Sequence, residues 1–371
     1  MRLVSRGICG AAMLCAAGGA AAQSSVTLYG VVDVFGQYLN NGGKASFQER
    51  SGGNTGSMFG LKGTEDLGGG LKAIFDVENG FNVNNGAFFA DTTAMFYRQS
   101  WVGFSNDKYG QLTFGRQYQP SFWIVYPADP FRADEALAPA ASAVLTADRN
   151  TLATQNMSGR TSNSMFYRSP SWGGFQFYGM YGFSATVTQP VPQTTGNMLD
   201  VAASYTGYGF YAGVGYQYMH PGTATIPGLP AALNLLGTEH FTGALAYRIG
   251  IVNLQALYVY SKPKDAAPHS MAALAGAGHP YSIASIGATI QATSADTIEL
   301  AIQERNARGV HDNTPAFQIG YDHSLSKRTS IYARAGYMKN HGTATMSWSG
   351  VTVTGFNTSQ TLAVIGMTHR F

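Results

Sequence analysis

The sequence predicts an all-β protein: a closed, antiparallel, transmembrane β-barrel of sixteen strands. Three observations lead there. Apolar residues recur with period two almost throughout. Charged residues make up only 12% of the 371 residues, against a usual ~25% in soluble chains, yet after the N-terminal leader no run of ~18 apolar residues offers a spanning helix. Short turn-like links also alternate strictly with long polar ones. A chain too weakly charged for an ordinary soluble surface, and without helical spans, can meet lipid through alternate residues of a closed barrel, which leaves no backbone hydrogen bond open.

The leader comes first in the chain. Arg2 and Arg6 precede a mostly apolar, alanine-rich stretch, and Ala20-Ala21-Ala22 stands before Gln23. Residues 1–22 therefore read as a cleavable export signal and 23–371 as the barrel domain. Both cysteines of the chain, Cys9 and Cys15, lie in the leader, so the mature chain is expected to hold no disulfide. Of 23 basic and 20 acidic residues, the leader removes Arg2 and Arg6. The near-neutral remainder carries no nucleic-acid footprint.

Each strand then follows from alternation. Leu28, Val32 and Val34 alternate with Thr27, Asp33 and Gln37; Leu71, Ala73, Phe75 and Val77 with Lys72, Ile74, Asp76 and Glu78. Further on, Phe241, Leu245 and Tyr247 alternate with His240, Thr242 and Arg248, and Ile298, Leu300 and Ile302 with Thr297, Glu299, Ala301, Gln303 and Arg305. The pattern predicts strands at 26–40, 56–64, 70–79, 94–105, 111–117, 160–168, 174–183, 199–206, 209–218, 239–248, 251–261, 281–291, 295–305, 313–324, 328–340 and 357–371. Long links are expected near 41–55, 80–93, 118–159, 184–198, 219–238, 262–280, 306–312 and 341–356. Short turns such as Gly207-Tyr208-Gly209 and Leu325-Ser326-Lys327 lie between them. An even count lets the last strand pair with the first, and 16–18 strands enclose an aqueous channel. The last strand puts Ala363, Ile365, Met367, His369 and the terminal Phe371 on one face, the kind of end that outer-membrane assembly machinery receives.

The chain resembles the general porins of Neisseria, Burkholderia, Bordetella and their relatives. The resemblance covers essentially the whole mature chain. It is carried by Ser25-Val26-Thr27-Leu28-Tyr29-Gly30-Val31-Val32-Asp33, by GLKGTEDLGGGLKA at 60–73, by Tyr97-Arg98-Gln99-Ser100-Trp101-Val102-Gly103-Phe104 and by Gly110-Gln111-Leu112-Thr113-Phe114-Gly115-Arg116-Gln117. It continues in Arg160-Thr161-Ser162-Asn163-Ser164-Met165-Phe166-Tyr167, Leu325-Ser326-Lys327-Arg328-Thr329 and Gly366-Met367-Thr368-His369-Arg370-Phe371. It implies a sixteen-stranded barrel, a homotrimer and a third long loop folded into each pore. The implied activity is general diffusion of ions and small hydrophilic solutes across an outer membrane. Outer-membrane lipid and lipopolysaccharide are the implied surroundings.

The 118–159 link is too long for a hairpin connection, and a loop at membrane depth must line a water cavity or be buried in protein. It is therefore expected to be the constriction loop, with Asp129, Arg132, Asp134, Glu135, Asp148 and Arg149 as its charges. Opposed rows of charge across a lumen set ion preference. Face parity names Lys62, Lys72, Asp76, Arg160, Arg168 and Arg334 as the wall, because an Arg facing lipid near the midplane costs ~2–4 kcal/mol. Arg98 and Arg116 match pore-lining positions of the family. Simple alternation, however, groups Arg116 with Leu112 and Phe114, and Arg98 with Val102 and Phe104, so a bulge is needed to turn them inward. Met58 stands where family members commonly have Arg, which weakens the basic wall. A wide, weakly selective pore is expected.

Other function classes fare worse. The eight histidines show no metal-ligand spacing such as H-x-x-x-H, and there is no G-x-S-x-G, so neither a metal, another cofactor nor catalysis is expected. A sugar-selective pore would file aromatics along its lumen. Here Phe175, Phe177, Tyr181, Phe210, Phe241, Phe317 and Tyr321 fall on the expected outer faces. A soluble β-rich adhesin would not alternate its links so regularly. A substrate-selective porin, for sugars or anions, is the nearer alternative.

Overall fold

The computed structural model describes residues 25–89, 94–133, 136–138, 159–187, 193–195, 197–224, 233–235, 237–264, 279–348, 351 and 355–371. The leader expected over 1–22 lies outside them.

The first strand, β1 (Ser25–Asn41), is the seam of the molecule. Its start pairs with β3 (Met58–Gly68), and residues 31–41 pair antiparallel with the last strand, β21 (Ser359–Arg370). The wall runs on through β4 (Leu71–Gly80), β5 (Gln99–Asn106), β6 (Gly110–Tyr118), β7 (Arg160–Arg168) and β8 (Phe175–Gly182) to β11 (Met198–Gly207) and β12 (Phe210–Met219). It continues through β15 (Gly237–Ile249), β16 (Val252–Lys264), β17 (Tyr281–Gln291), β18 (Asp296–Ala307), β19 (Asp312–Ser324) and β20 (Thr329–Lys339). Each strand is antiparallel to the next, and β20 returns to β21. Sixteen strands close the ring. Most boundaries fall within two residues of the expected ones, and 160–168 and 281–291 coincide with them.

Period two explains the wall. In β18, Leu300 and Ile302 are 38% and 53% exposed while Glu299 and Arg305 are 6% and 1% exposed, so apolar side chains point outward and polar ones inward. The same split puts His240 and Thr242 inside β15 and Phe241 and Leu245 outside. All seven aromatics placed outside by parity lie on outward faces, and six of them are exposed. One rim carries only tight turns, such as Tyr208-Gly209, where both residues hold positive φ and match the twist of the hairpin.

The structure corrects one expectation. The link expected over 41–55 is mostly strand: β1 turns tightly at Gly42-Gly43 into β2 (Lys44–Ser51), which pairs with Val34–Asn41. Its sequence, KASFQERS, reads as polar, yet Phe47 packs on Tyr38 with ring centroids 5.0 Å apart. Only 52–57 leaves the ladder. A second addition lies at the same rim. Two neighbouring links contribute β9 (Ala185–Val187), β10 (Gln193–Thr195), β13 (Gly222–Ala224) and β14 (Leu233–Leu235), which form a separate four-stranded sheet.

The link after β6 opens with Pro120, preset for a first helical turn, into the short α1 (Pro120–Val125). Its described part then crosses the inward face of the wall. Ile124 lies over Gly213 and Gly215 of β12, Pro130 over Gly287 of β17, Phe131 over Gly320 of β19 and Leu137 over Gly336 of β20. Phe131 and Leu137 share an apolar cluster inside the ring with Tyr332, Met346, Trp348 and Leu362.

Candidate functional site

The inward face carries four polar groups, each assembled from strands far apart in sequence.

The first joins β1, β3 and β4. Tyr29 donates its hydroxyl to Asp76 Oδ1 at 2.6 Å and to Glu78 Oε1 at 2.8 Å, and the Lys62 ammonium stands 4.8 Å over the Tyr29 ring. Arg98 joins this group. It precedes β5, its backbone N–H donates to the Glu78 carbonyl, and its Nε lies 3.6 Å from Glu78 Oε2. Leaving the ladder before Gln99 frees Arg98 from the outward parity of Val102 and Phe104. Lys72 shares this face nearer the tight-turn rim, opposite Asp66 and Ser105.

The second lies on β6 and β7. The register shifts between Gly115 and Gln117, so that Ser162 and Asn163 both stand opposite Arg116. The extra residue of this irregularity lies on β7, while Arg116 keeps its regular register opposite Ser100 of β5. Gly115 holds φ +126° there, and a Cβ on it would overlap the Ser100 carbonyl. Arg116 donates to the Tyr97 carbonyl and, from Nη1, to Ser162 Oγ at 2.9 Å. Arg160 stacks 4.1 Å from the Tyr118 ring centroid and donates to that hydroxyl. Arg168 lies 5.9 Å from the Trp123 ring of α1.

The third anchors α1. Asp200 of β11 is fully buried. It accepts both the Ser121 hydroxyl at 2.8 Å and the Ser121 N–H at 3.3 Å, while Gln217 donates Nε2 to it at 2.8 Å. Gln217 also donates to Gln119 Oε1, and Gln119 donates to Thr161 Oγ1. A buried carboxylate is tolerable only with such donors.

The fourth gathers β1, β18, β19, β20 and β21. Arg334 places Nη2 2.9 Å from Asp322 Oδ2 and 3.4 Å from Glu299 Oε2, with its guanidinium 5.2 Å from the Phe131 ring. Arg132 follows Phe131 directly and is exposed, its backbone held at φ 52°. Beside Glu299 and Asp322 the buried Asp33 carboxylate accepts Tyr332 Oη at 2.7 Å, Thr368 Oγ1 at 2.6 Å and the N–H groups of Gly53, Asn54 and Thr55. Asn54 Nδ2 reaches on to Asp322 at 3.1 Å. The 52–57 break is thus folded inward and held by one carboxylate.

Of the charges expected on the link, Asp129 is buried and accepts the N–H groups of Phe131 and Ala133 at 3.0 and 2.9 Å, which makes it a turn former. Asp134, Glu135, Asp148 and Arg149 lie outside the described residues. Parity reasoning did not single out Asp33, Glu78, Asp200, Glu299 or Asp322. Their signal is a carboxylate on the polar side of an alternating strand, most plainly Asp33 between Val32 and Val34.

A sequence model described as Gram-negative porin matches residues 10–343. The chain is 28% identical to outer membrane porin protein 32 of Delftia acidovorans over 97% of this chain and 98% of the relative. It is 27% identical to an outer membrane porin protein of Bordetella pertussis over 87% and 91%. Among solved structures, the anion-selective porin of Comamonas acidovorans superposes with TM-score 0.76 at 25% identity, over 94% of this chain and all of that one. OmpT of Vibrio cholerae in its trimer form gives 0.68 at 15% identity, over 94% and 99%.

Proposed function

The chain belongs to the Gram-negative porin family, and from that premise we propose that it is a general diffusion pore for ions and small hydrophilic solutes. The protein sits in the outer membrane with its apolar faces toward lipid. By the rule for such barrels, the tight turns are periplasmic and the long links extracellular. The observation that carries the reading is the closed ring of sixteen strands whose inward face is polar and charged. Family and fold alike are those of channels.

The 118–159 link is the constriction loop in this proposal. Its support is the path of residues 120–137 over the inward glycines and the Asp200–Ser121 anchor. Asp129 shapes that loop, Arg132 contributes its charge, and Asp134, Glu135, Asp148 and Arg149 belong to the same segment. Lys62, Asp76, Arg98, Arg116, Arg160, Arg168 and Arg334 line the wall, and Lys72 lies toward the periplasmic rim. Charges alternate in sign along that wall: Arg98 stands beside Glu78, and Arg334 beside Asp322 and Glu299. Compensated charge gives weak selectivity. Three such barrels form the working trimer, and Phe371 is the assembly signal.

Planar-bilayer recording tests this reading. Purified protein gives stepwise conductance, and its reversal potential in a salt gradient lies close to zero. Absence of steps defeats the pore. A strongly anionic potential favours a second reading, that of an anion-selective pore. The Arg116, Arg160 and Arg168 group and the anion-selective solved relative speak for that reading.

A further inference from the structure

From Ile124 of α1 to Pro130 the segment presents carbonyls to the wall, and the wall answers with donors. Tyr211 of β12 donates its hydroxyl to the Ile124 carbonyl at 2.8 Å. Gln255 of β16 donates Nε2 to the Pro127 carbonyl at 3.0 Å. Thr289 of β17 shares its hydroxyl between Gln255 Oε1 at 2.8 Å and the Pro130 carbonyl at 3.4 Å. Prolines at 120, 127 and 130 remove N–H groups that would otherwise need acceptors here. The two surfaces are therefore matched: acceptors on the segment, donors on three strands.

The matching also fixes a distance. An ideal Cβ on Gly215 would stand 2.8 Å from Ile124 Cδ1, and one on Gly213 would stand 2.9 Å from Ile124 Cβ. The segment thus sits about one methyl group closer to the wall than any other residue there would permit. Hydrogen bonds from Tyr211 and Gln255 to its backbone keep it there: Ile124, Val125 and Ala128 are buried in an apolar cluster with Tyr211, so a carbonyl that lost its donor would stay unpaired, at a cost.

We infer that Tyr211, Gln255 and Thr289, acting against the bare wall at Gly213 and Gly215, set the bore of the pore by fixing how far the 120–130 segment stands from the barrel. They are positioning residues: solute need not touch them. The inference rests on reading that segment as the constriction.

The test uses full-length protein in planar bilayers and in liposomes. The readout is the ratio of flux of a disaccharide to that of a monosaccharide, which the number of inserted channels cannot change. Gly215→Ala pushes Ile124 toward the axis, so the conductance step and the disaccharide ratio both fall. Ile124→Ala in the same chain restores both. The double variant Tyr211→Phe with Gln255→Leu frees the segment, and its open-channel current becomes noisier than wild type. Gly243→Ala and Gly179→Ala, which meet nothing within 4 Å, leave every reading unchanged. A conducting wild type whose Gly215→Ala variant keeps the wild-type ratio overturns this inference and leaves the pore standing. If Gly215→Ala does not fold, unchanged noise in the double variant overturns it equally. A silent wild type removes both.

Discussion

Phe371 closes the barrel on Gly30. The two residues exchange backbone hydrogen bonds, Gly30 N–H to the Phe371 carbonyl at 3.2 Å and Phe371 N–H to the Gly30 carbonyl at 3.1 Å. The Phe371 ring lies over the Gly30 Cα, and a Cβ at position 30 would also stand 2.8 Å from the Met58 carbonyl. Phe371 is therefore part of the seam.

Gly30→Val forces the ring or β3 to move. Overpacking of this kind costs about 1–3 kcal/mol. The expected result is a lower temperature for the heat-induced mobility shift on semi-native gels. Gly36→Val, at a position with open space around it, leaves that temperature unchanged.

The two faces of β18 respond oppositely to one substitution. Ile302 is 53% exposed and Gln303 is 4% exposed. Ile302→Arg places a charge in lipid and destabilises folding into vesicles by about 2–4 kcal/mol. Gln303→Arg folds and moves the reversal potential toward anions. Equal folding of the two variants in a urea titration would reverse the face assignment.

Arg334 pairs with two carboxylates at once, Asp322 and Glu299. Arg334→Met leaves Asp322 and Glu299 facing each other without their shared cation, and breaking a buried pair costs about 3–5 kcal/mol. Thermal unfolding falls accordingly, and whatever protein assembles becomes more cation-preferring. Adding Glu299→Gln and Asp322→Asn to Arg334→Met recovers a large part of the stability.

Asp33 holds the 52–57 break against the inner wall. Asp33→Ala leaves the hydroxyl of Tyr332 and three backbone N–H groups without their acceptor, at about 1–3 kcal/mol for each group that water cannot reach. Limited proteolysis is expected to cut at 52–57 in the variant and not in wild type. An uncut variant would mean that β2 and β3 hold the break by themselves.

The wall was legible because alternation is local. Ile298, Leu300 and Ile302 declare a face within five residues, and turns such as Tyr208-Gly209 declare its end. Arg116 shows how far such reading reaches: parity asked for a bulge, and the irregularity beside Arg116 has its extra residue on the neighbouring strand, at Ser162 and Asn163. The missed features depend on partners far away in sequence. KASFQERS becomes β2 because Val34–Asn41 offers it an edge. Asp200 becomes an anchor because Ser121 arrives from another strand pair. Glu299 and Asp322 become a charge centre only when β18 and β19 align beside Arg334. Alternation assigns each of these residues a side of the sheet, but it does not say what meets it there.

The four-stranded sheet at the open rim draws its strands equally from two links, with β10 paired to β13 across them. A shared ladder makes the register of one link the template of the other. β9, β10, β13 and β14 are therefore one mechanical unit: an extra residue inside β10 or β13 shifts the register that ties the two links together.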